Sequence, residues 1–132
     1  MDSVRFIGHI RSVLKEMRDC PLQESEGAPE AVIIINKEYR EAITGLKAGS
    51  KILVFTWLHK GDRGTLTTKP RNNPESKTTG VFATRSPDRP NPIGLHAVEI
   101  AEITGDGEIR VSNLEVLDGT PVIDIKIDLR TN

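Results

Sequence analysis

Residues 80–95 read GVFATRSPDRPNPIGL, two strand-like pieces interrupted by three prolines. Pro87, Pro90 and Pro92 each fix their own φ angle and restrict the residue before them. The backbone from Ser86 to Asn91 is therefore expected to be rigid. The pattern predicts two short strands joined by a stiff irregular corner.

The same corner carries two arginines, Arg85 and Arg89. A stiff backbone presents such side chains with little conformational entropy left to lose. Guanidinium groups held in this way suit carboxylates and phosphates. The alternative, which composition alone does not exclude, is a structural corner whose arginines are simply solvated.

Short apolar stretches of the same kind recur along the chain and predict strands over residues 4–10, 31–35, 51–58, 81–84, 93–103, 108–117 and 122–129. Gly105, Asp106 and Gly107 predict a tight hairpin turn. One short helix is predicted over residues 37–46, with Asn36 as its N-cap. We therefore expect an all-β, mainly antiparallel barrel or sandwich, folded as a single domain over residues 1–132.

Residues 61–79 contain glycines, prolines and asparagines with hardly an apolar side chain, so a long loop is predicted there. Charge is also uneven along the chain. Residues 59–92 hold seven basic and three acidic side chains, a net charge of +4, whereas residues 99–128 have a net charge of -6. A basic loop region could steer a phosphate-bearing partner, although solvated surface charge explains it equally well.

Several kinds of chemistry lack their sequence signatures. No histidine has a partner at metal-ligand spacing, so no metal site is expected. Neither a phosphate-binding loop nor a dinucleotide-binding glycine motif occurs. Cys20, the only cysteine, has no identifiable catalytic base beside it. No apolar run is long enough to span a membrane and no export signal is evident, so we expect a cytoplasmic protein.

A second informative run, LEVLDGTPVIDIK, occupies residues 114–126. By pattern alone it is two strands joined by a turn, with Asp118 and Asp124 as turn and edge residues. Taken with residues 80–94, however, it strongly resembles the paired motifs of the TrmO (TsaA, YaeB) family of tRNA methyltransferases. The stretches IGHIRS at 7–12 and WLHK at 57–60 extend the resemblance over most of the chain.

This resemblance implies an antiparallel β-barrel that binds S-adenosyl-L-methionine outside any Rossmann fold, works as a homodimer and methylates N6 of threonylcarbamoyladenosine at tRNA position 37. The cofactor contacts carried over from the family are Pro21, Leu22, Gln23, His59, Lys60, Arg85, Leu95, Leu114, Glu115, Val116, Leu117 and Asp118. Longer relatives have a C-terminal domain that contributes to tRNA contact. We therefore expect RNA recognition here to rest on the barrel and its basic loop, or the acceptor to differ.

Methyl transfer from a sulfonium is an in-line displacement, so alignment of donor and acceptor is the main requirement. The acceptor nitrogen is a poor nucleophile, and a base that takes its proton would help. Asp118 is the first candidate for that base and His59 the second. Arg85 and Arg89 would serve the carboxylate of the cofactor or of the substrate. The residues assigned to the RNA backbone are Lys69, Arg71 and Lys77.

Three other functions are compatible with the sequence. The first is a non-catalytic S-adenosylmethionine-binding regulator, and the second is a methyltransferase for another nucleoside or a small molecule. The third is a plain RNA-binding barrel. It is the least favoured, because the chain has few aromatic residues for base stacking and most of them fall in predicted strands.

Overall fold

The computed structural model describes residues 2–13, 30–69 and 77–131. Its longer strands are β1 (Gly8–Arg11), β2 (Ala31–Ile35), β3 (Lys51–Trp57), β6 (Ile93–Ile103), β7 (Glu108–Val111) and β8 (Pro121–Ile127). They form a closed antiparallel barrel in the order β1-β2-β7-β6-β3-β8. Two further strands, β4 (Thr67–Thr68) and β5 (Thr79–Gly80), pair as a separate ribbon. The predicted all-β antiparallel barrel is confirmed.

The interior of the barrel is filled by side chains that alternate along the strands. In β3, Ile52, Val54 and Thr56 point inward and are fully buried, whereas the residues between them are only partly buried. Burying one Val or Ile side chain contributes about 1.5–3 kcal/mol. The core is built almost wholly from aliphatic residues, among them Ile10, Ile33, Ile35, Ile100, Ile109, Val111 and Leu114.

One end of the barrel collects the segments that the sequence singled out. β3 ends and β6 begins there, because Trp57 lies opposite Ile93. β8 begins there too, since its first residue, Pro121, pairs with His9 of β1. We call this the motif end. The described residues of the connections at this end are 12–13, 30, 58–69, 77–92 and 112–120.

The helix predicted over residues 37–46 is instead a 3₁₀ helix over Lys37–Ile43. Asn36 occupies the N-cap position, but its side chain makes no capping bond and donates from Nδ2 to Phe6 O at 3.2 Å. The apolar spacing was nevertheless informative. The three side chains that suggested a helix all pack against the core, and they are Tyr39, Ile43 and Leu46.

Two predicted strands are wrong in whole or in part at the motif end. Residues 81–84 contain a 3₁₀ turn, Val81–Ala83, closed by a bond from Thr84 N to Val81 O at 3.1 Å. The strand predicted over residues 108–117 ends at Val111, because Asn113 adopts a φ of 58° and takes the chain out of the ladder.

Elsewhere the predicted strands shift by a few residues. β1 begins at Gly8, and the exposed Val4 and Phe6 precede it. β8 ends at Ile127 and a 3₁₀ turn, Leu129–Thr131, follows it. The predicted long loop at 61–79 contains β4 and ends in β5. The predicted hairpin turn is present, with Thr104 N donating to Glu108 O at 2.9 Å.

Candidate functional site

Two loops at the motif end are bonded to each other. Arg63, in the loop after β3, donates from Nε to Pro90 O at 2.7 Å and from Nη2 to Asn91 Oδ1 at 3.2 Å. The Asp62 amide donates to Asp88 Oδ1 at 2.8 Å. These cross-loop bonds make the two loops one unit. We call it the double loop, and it comprises residues 58–64 and 84–92.

Close packing tightens the double loop further. Gly61 lies so near Pro87 O that a Cβ atom at position 61 would overlap this oxygen. The Arg63 guanidinium lies 5.2 Å from the centroid of the Trp57 ring, in cation–π contact. Neither Gly61 nor Arg63 is among the site residues predicted from the sequence. The only available signal was their position directly after a predicted strand.

Arg89 braces the inside of the double loop. Its Nε donates to Ser86 O at 2.9 Å, and its Nη2 donates to Thr84 O at 2.6 Å and also to Val81 O. A charged donor shared among three carbonyls fixes the path of residues 81–89. The sequence assigned Arg89 to substrate binding, and these contacts favour a positioning role for it.

Arg85 reaches a stretch of the β6 edge that no described strand covers, which we call the open edge. Leu58 N donates to Pro92 O at 2.7 Å, so by the alternation of antiparallel pairs the N–H and C=O of Leu95 point away from β3. On that other side, β7 pairs with β6 only from Ile100 onward. Arg85 Nη1 lies 3.5 Å from Leu95 O at this edge. A ligand lying here would meet a guanidinium and strand backbone groups together.

The segment after β7 begins where this open edge begins. Ser112 N still donates to Glu99 O of β6 at 3.4 Å. The next residue, Asn113, has the left-handed φ of 58° that asparagine tolerates better than most residues. The side chains of Leu114, Val116 and Leu117 are then buried. If these predicted cofactor contacts bind a ligand, they do so through their backbone groups.

Asp118 ends this segment and is tied to β1. Its Oδ1 accepts a bond from Ser12 N at 2.9 Å. The following turn is also fixed, since Gly119 N donates to Ile10 O at 2.7 Å and Thr120 Oγ1 donates to Leu117 O at 2.7 Å. The carboxylate of Asp118 is half-buried and held in one orientation. Charge-assisted bonds of this kind are strong.

The other predicted site residues fall into three groups. His59, Lys60, Lys69 and Lys77 are exposed, the first two in the double loop and the last two beside the β4–β5 ribbon. Glu115 is half-buried in the segment after β7, between Leu114 and Val116. The remaining predictions lie outside the described residues. These are Pro21, Leu22, Gln23 and Arg71, together with Cys20.

The basic segment, residues 59–92, is distinguished by the way its charged side chains are paired. Within the described parts of the chain, none of the basic side chains of residues 59–92 forms an ion pair. The ion pairs found in the described parts of the chain join residues outside this segment, for example Arg11 with Glu108 and Arg110 with Glu30. The two described acids of the basic segment, Asp62 and Asp88, accept bonds from loop amides. Arg63 and Arg89 donate to loop oxygens, whereas Lys60, Lys69, Lys77 and Arg85 are exposed.

Other parts of the described chain offer less. No group of three or more His, Cys, Asp or Glu side chains within residues 2–13, 30–69 and 77–131 could hold a metal ion. No helix among the described residues is long and apolar enough to cross a membrane. A shallow cleft of about 240 Å³ lies at the opposite barrel end, lined by residues that include Arg40, Ile43, Ile103 and Gly107. It contains none of the predicted site residues.

Comparison with known proteins adds to this geometry. The family model of the tRNA-methyltransferase O N-terminal domain matches residues 9–130. The chain belongs to this family. A protein of Methanothermobacter thermautotrophicus named "Probable S-adenosyl-L-methionine-binding protein" is 46% identical over 124 residues, which cover 93% of this chain and 87% of that protein. An "S-adenosyl-L-methionine-binding protein" of Archaeoglobus fulgidus is 40% identical over 120 residues, 91% of this chain and 84% of that one.

A solved structure shares the fold. The crystal structure of TrmO from Pseudomonas aeruginosa superposes with a TM-score of 0.73 at 32% sequence identity. The match covers 98% of this chain and 56% of the TrmO chain, so the present chain spans little more than half the length of that structure.

In this member of the tRNA-methyltransferase O family, the motif end combines three properties. The double loop is rigid, the open edge of β6 offers backbone donors and acceptors, and Arg85 and Asp118 bring charges of opposite sign. Such a site can orient an elongated zwitterionic ligand without a metal among its described residues. Rigid orientation of two reactants removes up to about 7–11 kcal/mol from a barrier.

Proposed function

We propose that the protein is an S-adenosylmethionine-dependent methyltransferase that acts on N6 of threonylcarbamoyladenosine at position 37 of tRNA. The observation that carries this proposal is that the two family motifs, residues 80–95 and 114–126, meet at one barrel end, where β6 and β8 begin. S-adenosylmethionine is the methyl donor, in keeping with the names of the relatives.

The residues at the motif end fit this cofactor. Arg85 is exposed and can pair with the carboxylate of its methionine part. The backbone of Leu95 and of residues 114–117 supplies acceptors and donors for its ammonium and adenine groups. When bound, S-adenosylmethionine supplies an electrophilic methyl group. The protein holds the acceptor in line with that group and excludes water.

Asp118 is the candidate that receives the proton from the acceptor nitrogen. Its Oδ1 is fixed by the Ser12 amide, so the carboxylate keeps one direction. His59 is the alternative, being exposed on the double loop at the same barrel end. Removal of the proton makes the nitrogen lone pair available for attack on the methyl group. General-base catalysis of this kind typically raises a rate by about 10²–10⁴-fold.

We further propose that the protein works as a homodimer in the cytoplasm, where its tRNA substrate occurs. An apolar row on the outer face of the barrel supports self-association. It is formed by cross-strand pairs of β3 and β6, namely Trp57 with Ile93, Phe55 with Leu95 and Leu53 with Ala97. Ile93 and Leu95 are exposed, and apolar surface of this kind marks interaction sites.

The test is incubation of the purified protein with methyl-labelled S-adenosylmethionine and tRNA that carries threonylcarbamoyladenosine, followed by digestion and mass spectrometry of the nucleosides. A gain of one methyl group on that nucleoside is expected. tRNA with unmodified adenosine at position 37 is the control substrate. Lys47→Ala is the control variant, because Lys47 is exposed between the 3₁₀ helix and the start of β3, at the opposite barrel end.

A second function is favoured by the names of the two relatives from Methanothermobacter thermautotrophicus and Archaeoglobus fulgidus, which specify S-adenosylmethionine binding and no transfer. In this role the protein would sense the cofactor and regulate a partner. Calorimetric binding of S-adenosylmethionine with no methyl transfer to any tRNA would support it. Transfer to a different nucleoside or a small molecule would instead retain the enzyme and change its acceptor.

A further inference from the structure

Phe82 is the most exposed aromatic side chain among the described residues, with 84% of its surface open to solvent. The sequence pattern placed it in a strand, where alternate side chains are buried. It lies instead in the middle of the Val81–Ala83 turn, inside the first family motif. Full burial of a Phe is worth about 1.5–3 kcal/mol, so exposure forgoes that stabilisation. The chain has only three phenylalanines.

The turn that carries Phe82 is held on both sides. Val81 is buried, and its amide donates to Leu66 O at 3.0 Å. Val81 O accepts from Thr84 N, from Thr84 Oγ1 at 2.9 Å and from Arg89 Nη2. Phe82 is therefore presented to solvent by a bonded turn. A rigidly presented ring has little entropy to lose when a flat partner stacks on it.

Basic residues lie near Phe82 along the chain. Arg85 is three residues after it, and β5 ends two residues before it. Lys69 and Lys77 flank the β4–β5 ribbon, in which Thr68 pairs with Thr79. Thr79 is three residues from Phe82, a separation of at most roughly 10 Å of extended chain. In the described parts of the chain, none of these three cations forms an ion pair.

An exposed aromatic ring beside unpaired cations is the arrangement that proteins use for unpaired bases of nucleic acids. The ring stacks on a base and the cations pair with the adjoining phosphates. We propose that Phe82 is a stacking platform for a nucleobase of the acceptor RNA, with Lys69 and Lys77 on its backbone. This inference rests on the proposed function and adds a substrate-binding residue to it.

Two variants at position 82 and one control variant test the role of the ring. Phe82→Leu keeps an apolar side chain but removes the ring, Phe82→Trp keeps a stacking surface, and Lys47→Ala at the other barrel end is the matched control. The ligands are an anticodon stem-loop RNA carrying threonylcarbamoyladenosine and the same RNA with an abasic site at that position. Affinity is measured by fluorescence anisotropy, and S-adenosylmethionine affinity by calorimetry.

Phe82→Leu is expected to weaken binding of the intact RNA by about tenfold or more, the usual loss for one stacked base. Phe82→Trp should bind the intact RNA at least as tightly as the wild type. The difference between Phe82→Leu and the wild type should disappear on the abasic RNA. S-adenosylmethionine affinity should be the same in all variants.

Equal RNA affinity of Phe82→Leu and the wild type, with methylation retained, would overturn the stacking role and leave the proposed function standing. Wild-type protein that binds S-adenosylmethionine but no RNA would overturn both. Sedimentation tests a different role for the ring, contact with a second copy of the chain. If Phe82→Leu dissociates the dimer and leaves RNA affinity unchanged, the ring belongs to the dimer interface and the stacking proposal is overturned.

Discussion

At the scale of single residues, the two arginines of the first motif have different surroundings. Arg89 donates to three loop carbonyls, whereas Arg85 is exposed and makes one long contact, to Leu95 O. From the sequence, the same role was predicted for both, because each lies beside prolines in the same rigid segment. Only the folded path of residues 81–89 distinguishes a bracing side chain from one available to a ligand.

Arg85→Ala is expected to weaken binding of S-adenosylmethionine by about 1.5–3 kcal/mol, the usual contribution of a hydrogen bond to a charged group. The free energy of unfolding should change little, since Arg85 is exposed. Isothermal calorimetry measures the first quantity and urea denaturation the second. An unchanged cofactor affinity would remove Arg85 from the site.

Arg89→Lys is expected to lower the free energy of unfolding by about 1–3 kcal/mol, because a single ammonium cannot replace the Nε and Nη2 donors together. Urea denaturation of this variant beside Arg85→Lys measures the difference between the two positions. Arg85→Lys should retain wild-type stability. Intact stability of Arg89→Lys, combined with weaker RNA binding, would return Arg89 to direct substrate contact.

At the scale of elements, the sequence predicted what depends on apolar pattern. The apolar pattern of residues 93–103 predicted a strand, and β6 has the predicted bounds. The irregular site segments could not be predicted, because their shape depends on distant partners. Asn113 takes the chain out of the β-ladder, Phe82 turns outward and Asp118 binds the Ser12 amide. None of these three features has a local sequence signal.

Gly61→Ala is expected to separate the two halves of the double loop, since the added Cβ would overlap Pro87 O. A displacement of about 1 Å in a positioning element can reduce a rate by 10²-fold. We expect the methyl-transfer rate to fall at least about tenfold. Gly64→Ala is the matched control, because the nearest atom to a Cβ there is the flexible Asp62 side chain at 3.4 Å. Equal rates for the two variants would show that the loops do not need this contact.

The turn after β8 gives a pH-dependent prediction. Hydrogen bonds from Arg130 lower the pKa of Asp128 from 3.8 to about 2. The carboxylate therefore stabilises the fold at pH values above about 4, and this contribution is lost as the pH falls toward 2. Asp128→Asn should be less stable than the wild type at pH 7, and the difference should shrink between pH 4 and pH 2 in urea denaturation. A difference that stays constant over this range would contradict the assignment.

At the scale of the whole molecule, positive and negative charges are concentrated in two different segments of the chain. Residues 59–92 have a net charge of +4, while residues 99–128 have a net charge of -6. The described acids of the second segment include Asp124, Glu102, Glu108 and Asp128, which pair with arginines or lysine on the barrel. The described cations of residues 59–92 lie at the motif end and take part in none of these ion pairs, so the nearly neutral protein has a basic face there.

This division predicts a salt-dependent affinity for RNA. If three or four cations of residues 59–92 contact phosphates, log K should fall with log salt concentration with a slope of about -2 to -3. Lys69→Ala should reduce the magnitude of that slope by about 0.7 and Lys47→Ala should not. Fluorescence anisotropy over a range of salt concentrations gives the slopes. A slope near zero would mean that RNA binding does not use this face.

The central claim is that the cofactor binds at the motif end, between the double loop and residues 114–118. Titration of the ¹⁵N-labelled protein with S-adenosylmethionine, followed by two-dimensional NMR, tests it directly. We predict that the largest amide shifts occur at residues 58–60, 85–95 and 114–118. Shifts concentrated at residues 40–46 and 103–107, around the cleft at the other barrel end, would contradict the claim. The absence of any shift would mean that the protein does not bind S-adenosylmethionine.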